Sequence, residues 1–329
     1  MSFPRLKQAN VKAGSTPTAR SSRSARPISA TAKKSAVALP ARTNEDTLAR
    51  EEEILSLLTI LNAPVVNSKE LPVTLQAIKA ALYARDYATA FAKPDYLRAY
   101  CARWVPGRAL AYRDLLLSSD ATVTLSQKQS NRSSPMKIMC IGGGAGSEIL
   151  ALASMAKEQD FVTGLHITAV DCADWGPLLK EMMQLVRVQW ELDTFRFSLS
   201  FKREDILESY PHHDFAATHL ITFLFTANEL FSASRSKTLS FLSFLSSVCT
   251  KGTLLLVAES VGSYSEIAVG DKTYPLELIL DRHLSGKDAQ WRAVERDPAR
   301  WYRVPEETQR KYALQVENTH MLVRVFEKV

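Results

Sequence analysis

Five residues, Gly142-Gly143-Gly144-Ala145-Gly146, form the stretch of this 329-residue chain best suited to holding a small anionic group. The apolar run Lys137-Ile138-Met139-Cys140-Ile141 leads into it, and a helix-compatible run opens behind it at Ser147-Glu148. Glycines between a strand and a helix let the backbone approach a ligand closely. The helix start adds N–H groups and the positive end of its dipole, which suits a phosphate or a carboxylate. The dinucleotide fingerprint G-x-G-x-x-G needs glycine where Ser147 stands, which disfavours a nicotinamide oxidoreductase.

Asp171 ends the next strand candidate, 29 residues after Gly142. An acidic side chain at that place accepts hydrogen bonds from the ribose hydroxyls of an adenosine-type cofactor. It could equally cap a helix. Trp175 follows and can stack on an adenine or simply pack. Asp205, after a third strand, is an acceptor in a loop. Asn228 and Glu229 follow the fourth strand, where polar groups stand beside the crevice of an open α/β sheet. Their alternative role is to cap the following helix.

These residues need a sheet to position them. Strand candidates are Met136–Ile141, Leu165–Val170, Ser198–Lys202, His219–Phe225, Thr253–Ala258 and Met321–Phe326, with helical stretches such as Ser147–Lys157 and Gly176–Glu191 between them. Strand-loop-helix alternation predicts an α/β fold, a mostly parallel Rossmann-like sheet with helices on both faces. The last two strands are about 60 residues apart, which reads as an insertion at about 260–319. Upstream, residues 45–117 have helical spacing, broken at Pro94 and at Pro106-Gly107. The polar, Ser-rich residues 118–134 read as a linker to a main domain at 135–329.

Residues 1–44 read as a basic tail. Nine of the first 42 residues are Lys or Arg and none are acidic. Such a segment cannot bury a core and is expected to be disordered. It suits an RNA-binding or nuclear-import arm; its Arg/Ser-rich composition also suits a mitochondrial transit peptide. The whole chain carries 41 Lys plus Arg against 35 Asp plus Glu, a net charge of +6. That permits a polyanionic partner without requiring one. Cys101, Cys140, Cys172 and Cys249 show no C-x-x-C pair, so neither a disulfide framework nor structural zinc is expected. No apolar run reaches bilayer length, and a soluble protein is expected.

Tyr264, Trp301, Tyr302 and Arg303 mix aromatic and cationic groups within the inserted region. Single-stranded or flipped bases are held by such groups, although aromatics also fill cores. In the helical region the aromatics Tyr83, Phe91, Tyr96, Tyr100, Trp104 and Tyr112 suit packing onto the sheet. Arg85, Lys93, Arg98, Arg103, Arg108 and Arg113 between them are then available to phosphate. His212-His213-Asp214 lacks a third metal ligand and reads as a surface turn.

The runs Met139–Glu148, Phe223–Phe231, Ser260–Glu266 and Arg300–Arg303 resemble those of the fungal 25S ribosomal RNA uridine-N3 methyltransferases. Tyr83–Tyr87 and Val105–Tyr112 fit the same family, and the resemblance covers roughly residues 70–329. Cys140 departs from the wider methyltransferase pattern, which often has an acid there. The resemblance implies a Rossmann-like fold and S-adenosylmethionine as cofactor. Gly142, Gly143, Gly144, Gly146 and Asp171 would bind it, with Asp205 on the adenine amine. It implies methyl transfer to N3 of a uridine, for which the place of the two residues after the fourth strand suits Glu229 as base or orienting group and Asn228 on the base edge. Tyr264, Trp301, Tyr302 and Arg303 would face the substrate. No N/D-P-P-Y run and no cysteine follow the fourth strand, which argues against exocyclic-amine methylation of that kind and against the covalent route to carbon-5 of a pyrimidine.

The implied partner is ribosomal RNA or a pre-ribosomal particle, with no membrane and no metal, and the protein acting as a monomer. The implied compartment is nuclear, nucleolar or cytoplasmic, with mitochondria as the alternative. A protein or small-molecule methyltransferase, and a non-catalytic RNA-binding assembly factor, stay open as other readings.

Overall fold

The computed structural model describes residues 44–130, 133–158, 164–269, 271–287 and 289–329. The expected basic tail lies outside the described residues. Among the described residues, nine strands and eleven α-helices follow in chain order. The N-terminal helices are α1 (Asn44–Val66), α2 (Leu71–Tyr83), α3 (Tyr87–Ala90), α4 (Pro94–Ser118) and α5 (Asp120–Ser130). Then come β1 (Met136–Ile141), α6 (Ser147–Glu158), β2 (Leu165–Asp171), α7 (Gly176–Trp190), β3 (Phe197–Arg203) and α8 (Ile206–Ser209). The chain continues with β4 (Leu220–Leu224), α9 (Ala227–Val248), β5 (Leu254–Ser260), β6 (Glu266–Val269), β7 (Lys272–Pro275) and α10 (Leu276–Ser285). It ends with β8 (Trp291–Tyr302), α11 (Glu306–Gln309) and β9 (Thr319–Lys328).

Seven strands form one sheet in the order β3-β2-β1-β4-β5-β9-β8. Strands β1 to β5 are parallel, and β9 runs antiparallel to both β5 and β8. The expected α/β, Rossmann-like sheet is therefore present. Strand β4 is buried along its whole length, as a central parallel strand must be when helices cover both faces. Alternate residues face alternate layers. Ile138 and Cys140 join the core beneath α1, α4, α6 and α7, while Met139 and Ile141 join the core with α9 and α10. The chain turns one way from β1 to β2 and β3 and the other way to β4. That switch point is where such sheets bind ligands.

Three expectations change. The break at Pro106-Gly107 is absent, since α4 runs through it. Proline has no N–H for the carbonyl four residues back. The orphaned Ala102 carbonyl instead accepts from the Tyr312 hydroxyl at 2.9 Å. Gly107 lets the Glu317 backbone approach, because a Cβ there would stand 2.5 Å from the Glu317 carbonyl oxygen.

The expected linker at 118–134 holds α5. Its start carries Asp120, which favours the helix dipole, and Ser119 donates to Glu295 at 2.6 Å.

The expected insertion is also corrected. Residues 260–319 contain the hairpin β6–β7, helix α10 and the sheet's own edge strand β8. Strand β8 was concealed by Pro298 and by charges on its exposed face. Its register also shifts between Ala293 and Glu295 and between Asp297 and Arg300. Proline and bulges are tolerated on an edge strand.

Candidate active site

A cavity of about 680 Å³ opens at the carboxyl ends of β1, β2 and β4. Gly142, Gly143 and Gly146 line it, as do Asp171, Asp205 and Glu229. Of the eight residues placed there from sequence, these six line the cavity, and Gly144 and Asn228 do not. Gly142 has φ of +73°, in the left-handed region, and a Cβ on it would meet the Thr226 hydroxyl at 2.2 Å. Gly144 is corrected from wall to support. It stands behind the cavity and donates its N–H to Asp171 Oδ2 at 3.1 Å. A Cβ on Gly144 would collide with the Trp175 indole at 2.0 Å.

Asp171 also accepts from the Ala173 N–H at 2.9 Å, so backbone donors fix its carboxylate in place. Burial pushes it up to about 6 against those bonds. A carboxylate has about four acceptor sites, so hydroxyl donors can still be accommodated. Asp205 caps α8 through the Leu207 N–H at 2.9 Å and presents the cavity wall beside Ile206 and Leu207. Trp175 packs on Phe91 and Tyr100, lines the cavity and hydrogen-bonds the Asp171 side chain.

Glu229 is partly buried on the wall. Burial, then the neighbouring carboxylates Asp171 and Glu259, push it up to about 8, with Arg108 pulling the other way. Asn228 does not line the cavity, which corrects its place on a base edge. Its side-chain amide donates to Ser265 at 3.0 Å and its backbone N–H to Glu259 at 3.1 Å. Those bonds tie the start of α9 to the end of β5 and hold Glu229 in position.

Tyr87, Arg108, Phe225 and Glu148 are among the lining residues not singled out from sequence for this site. Phe225 directly follows β4 with φ of +60°, a conformation rare for a bulky residue. Backbone strain of that kind concentrates at functional sites. Arg108 lies with its guanidinium carbon 4.7 Å from the centre of the Phe225 ring. Glu148 is buried beside the glycine loop and pushed up to about 7 by that burial. Tyr87 is raised to about 12 by burial and by Glu229.

A family model described as "Putative SAM-dependent methyltransferase" matches residues 60–327, a span that includes the whole cavity. The chain belongs to this family of S-adenosylmethionine-dependent methyltransferases. The 25S rRNA (uridine(2843)-N(3))-methyltransferase of Saccharomyces cerevisiae is 31% identical over 326 residues, covering 87% of each chain. Among solved structures, an O-methyltransferase family protein from Burkholderia thailandensis is 12% identical, with a TM-score of 0.44 over 87% of this chain and 73% of its own. The N-methyltransferase NodS from Bradyrhizobium japonicum is 13% identical, with a TM-score of 0.38 over 70% of this chain and 96% of its own.

The methyltransferase's cavity fits its cofactor. The glycine loop and the start of α6 offer N–H groups to a carboxylate, and Asp171 and Asp205 offer acceptors to ribose and adenine. The expected phosphate-facing arginines are mostly committed elsewhere. Arg98 pairs with Glu181, Arg103 with Glu317 and Arg113 with Glu158. Tyr302 is buried and donates to Glu51 at 2.6 Å, which removes it from the substrate surface. Trp301 remains 48% exposed, stacked on His320 with ring centres 4.0 Å apart and with Arg303 over its ring. The side chain of Tyr264 lies outside the described residues. His213 pairs with Glu204, and no group of three or more metal-binding side chains occurs among the described residues. No helix among them is long and apolar enough to cross a membrane.

Proposed function

We propose that this methyltransferase transfers a methyl group to N3 of a uridine in large-subunit ribosomal RNA. The observation that carries the reading is the 31% identity, over 87% of both chains, to the yeast enzyme of that specificity. Bound S-adenosylmethionine supplies an electrophilic methyl group on sulfur. The protein's own task is the nucleophile. Neutral uracil carries a proton on N3, and its nitrogen lone pair is delocalised. Glu229, on the cavity wall after β4, is the carboxylate placed to receive that proton. A carboxyl near 8 is well matched to a base working near neutral pH. Tyr87 and Phe225 line the same cavity.

The exposed stack of Trp301, His320 and Arg303 stands at the carboxyl end of the sheet and supports contact with RNA. The acid-free basic residues 1–42 support a nuclear or nucleolar site of action. Mitochondrial import of a fluorescent fusion would overturn that placement.

The test is direct. The purified protein is incubated with S-adenosylmethionine and a large-subunit rRNA transcript, and the digested nucleosides are analysed by mass spectrometry. Formation of 3-methyluridine is expected. Methylation of a protein or small molecule in its place, or of another nucleoside, would sink the reading.

A further inference from the structure

Glu229 explains where the N3 proton goes but not what stabilises the anion left behind. That anion spreads its charge over N3, O2 and O4. The cavity wall already carries carboxyl groups, those of Asp171, Glu229 and Glu148 among them. An isolated charge there is costly without a compensating partner.

Four cationic side chains line the cavity: Lys93, Arg98, Arg108 and Arg203. Arg98 is bound to Glu181, and Arg203 stands 3.4 Å from Asp174. Lys93 sits over the ring of Tyr96. Arg108 differs from these. Helix α4 carries it to the part of the wall shared by Glu229 and Phe225. Its Nη1 donates to the Tyr100 hydroxyl, and its guanidinium lies over the Tyr100 and Phe225 rings, 5.6 and 4.7 Å from their centres. Among the described residues it forms no ion pair. A guanidinium has five N–H donors, so most remain unspent. Two aromatic rings and one hydroxyl hold the planar fork at a fixed place, which is the preorganisation that charge stabilisation requires.

We propose that Arg108 is a catalytic residue that donates hydrogen bonds to a carbonyl oxygen of the methyl-accepting uracil and stabilises its N3 anion. This rests on the uridine reading above. In the balanced step the N3–H bond breaks and its proton passes to Glu229. The N3 electron pair then forms a bond to the methyl carbon as the carbon–sulfur bond breaks and leaves its pair on sulfur. Arg108 keeps its proton throughout and lowers the energy of the charge on oxygen. Helix α4 therefore takes part in the chemistry as well as in packing.

The experiment compares wild type, Arg108→Met and Arg108→Lys on large-subunit rRNA transcripts made with uridine or with 5-fluorouridine. Fluorine withdraws electrons and makes N3–H more acidic, so less stabilisation is needed. On the uridine transcript Arg108→Met is expected to lower kcat by about 100-fold or more, with a much smaller change in KM. On the 5-fluorouridine transcript that loss should shrink roughly tenfold, because a more acidic base asks less of the same electrostatic term. Arg108→Lys, which keeps the charge and loses the fork, should fall between. S-adenosylmethionine affinity by calorimetry checks that the cavity is intact; if Arg108→Met fails that check, the same comparison is made with Arg108→Lys. An equal loss on both transcripts, or no loss, would overturn the role of Arg108. Absence of 3-methyluridine in the wild-type reaction would instead remove the uridine reading on which it rests.

Discussion

The Tyr312 hydroxyl donates to the Ala102 carbonyl at 2.9 Å, the acceptor that Pro106 cannot serve. The same hydroxyl accepts from Asn62 Nδ2 at 3.2 Å, so α1, α4 and the segment before β9 meet at one oxygen. All three partners are buried. Tyr312→Phe leaves a buried carbonyl without a donor and should cost about 1–3 kcal/mol. Urea unfolding measures it as a lower midpoint. An unchanged midpoint would show that water or a shifted neighbour replaces the hydroxyl.

Tyr302 and Trp301 are adjacent in sequence and opposite in role. The Tyr302 hydroxyl and the Thr308 hydroxyl both donate to Glu51, at 2.6 and 2.8 Å, and fasten the end of β8 to α1. Tyr302→Phe should reduce stability by about 1–3 kcal/mol, because one buried acceptor loses its donor. Its RNA affinity should stay as in wild type. Trp301→Ala should do the reverse, weakening RNA binding by about 1–3 kcal/mol with stability nearly unchanged. Fluorescence titration with RNA and thermal unfolding of both variants separate the two roles, and equal effects on both readouts would erase the distinction.

The sheet's central strands were legible as short apolar runs, of which β1 leads into a glycine and β2 ends at an acid. Gly142 and Asp171 stand at such ends, so the cofactor crevice could be located before the fold was known. Strand β8 was not legible, because an edge strand needs an apolar residue only on its covered face and tolerates Pro298. Arg108 was visible as a residue but not as a cavity residue. Its place depends on α4 continuing past Pro106, which depends on Tyr312 more than 200 residues away. Asn228 and Glu229 are neighbours on α9, yet a helix turns successive side chains by about 100°, and only Glu229 reaches the cavity. Adjacency in sequence concealed that difference.

Gly144 tests how tightly the cofactor loop is built. A methyl group there would press on the Trp175 indole, itself packed against Phe91 and Tyr100, and on Asp171 Oδ2 at 2.6 Å. None of these can move freely. Gly144→Ala should cost about 1–3 kcal/mol of stability through overpacking. It should also weaken S-adenosylmethionine binding, because the displaced Asp171 carboxylate loses its place at the crevice. Calorimetry of cofactor binding at pH 8 checks the second effect. Wild-type affinity in Gly144→Ala would mean that Asp171 does not hold the cofactor in the way its position implies.

Glu229 links activity and stability to pH with opposite signs. Only its ionised form can accept the N3 proton, and burial with Asp171 and Glu259 pushes it up to about 8. The kcat/KM for RNA should therefore rise with pH and level off above about 8, since that ratio reports groups of the free enzyme. Glu229→Gln should lose about 100- to 10,000-fold in rate, the range for removing a general base. Stability runs the other way. The carboxyl is raised from an ordinary 4.5, so between 4.5 and about 8 the folded protein binds more protons than the unfolded chain. Stability contributed by this group is present at low pH and is lost as pH rises through that window. Asp171 and Glu148, pushed up to about 6 and about 7, have the same sign, so the difference between wild type and variant isolates Glu229. Glu229→Gln should be the more stable protein at pH 8, by about 1 kcal/mol, and lose that advantage towards pH 4.5. Denaturant titrations at the two pH values measure it. A variant that is less stable than wild type at pH 8 would place a stabilising bond on Glu229 and end its assignment as a base held ready in a costly environment.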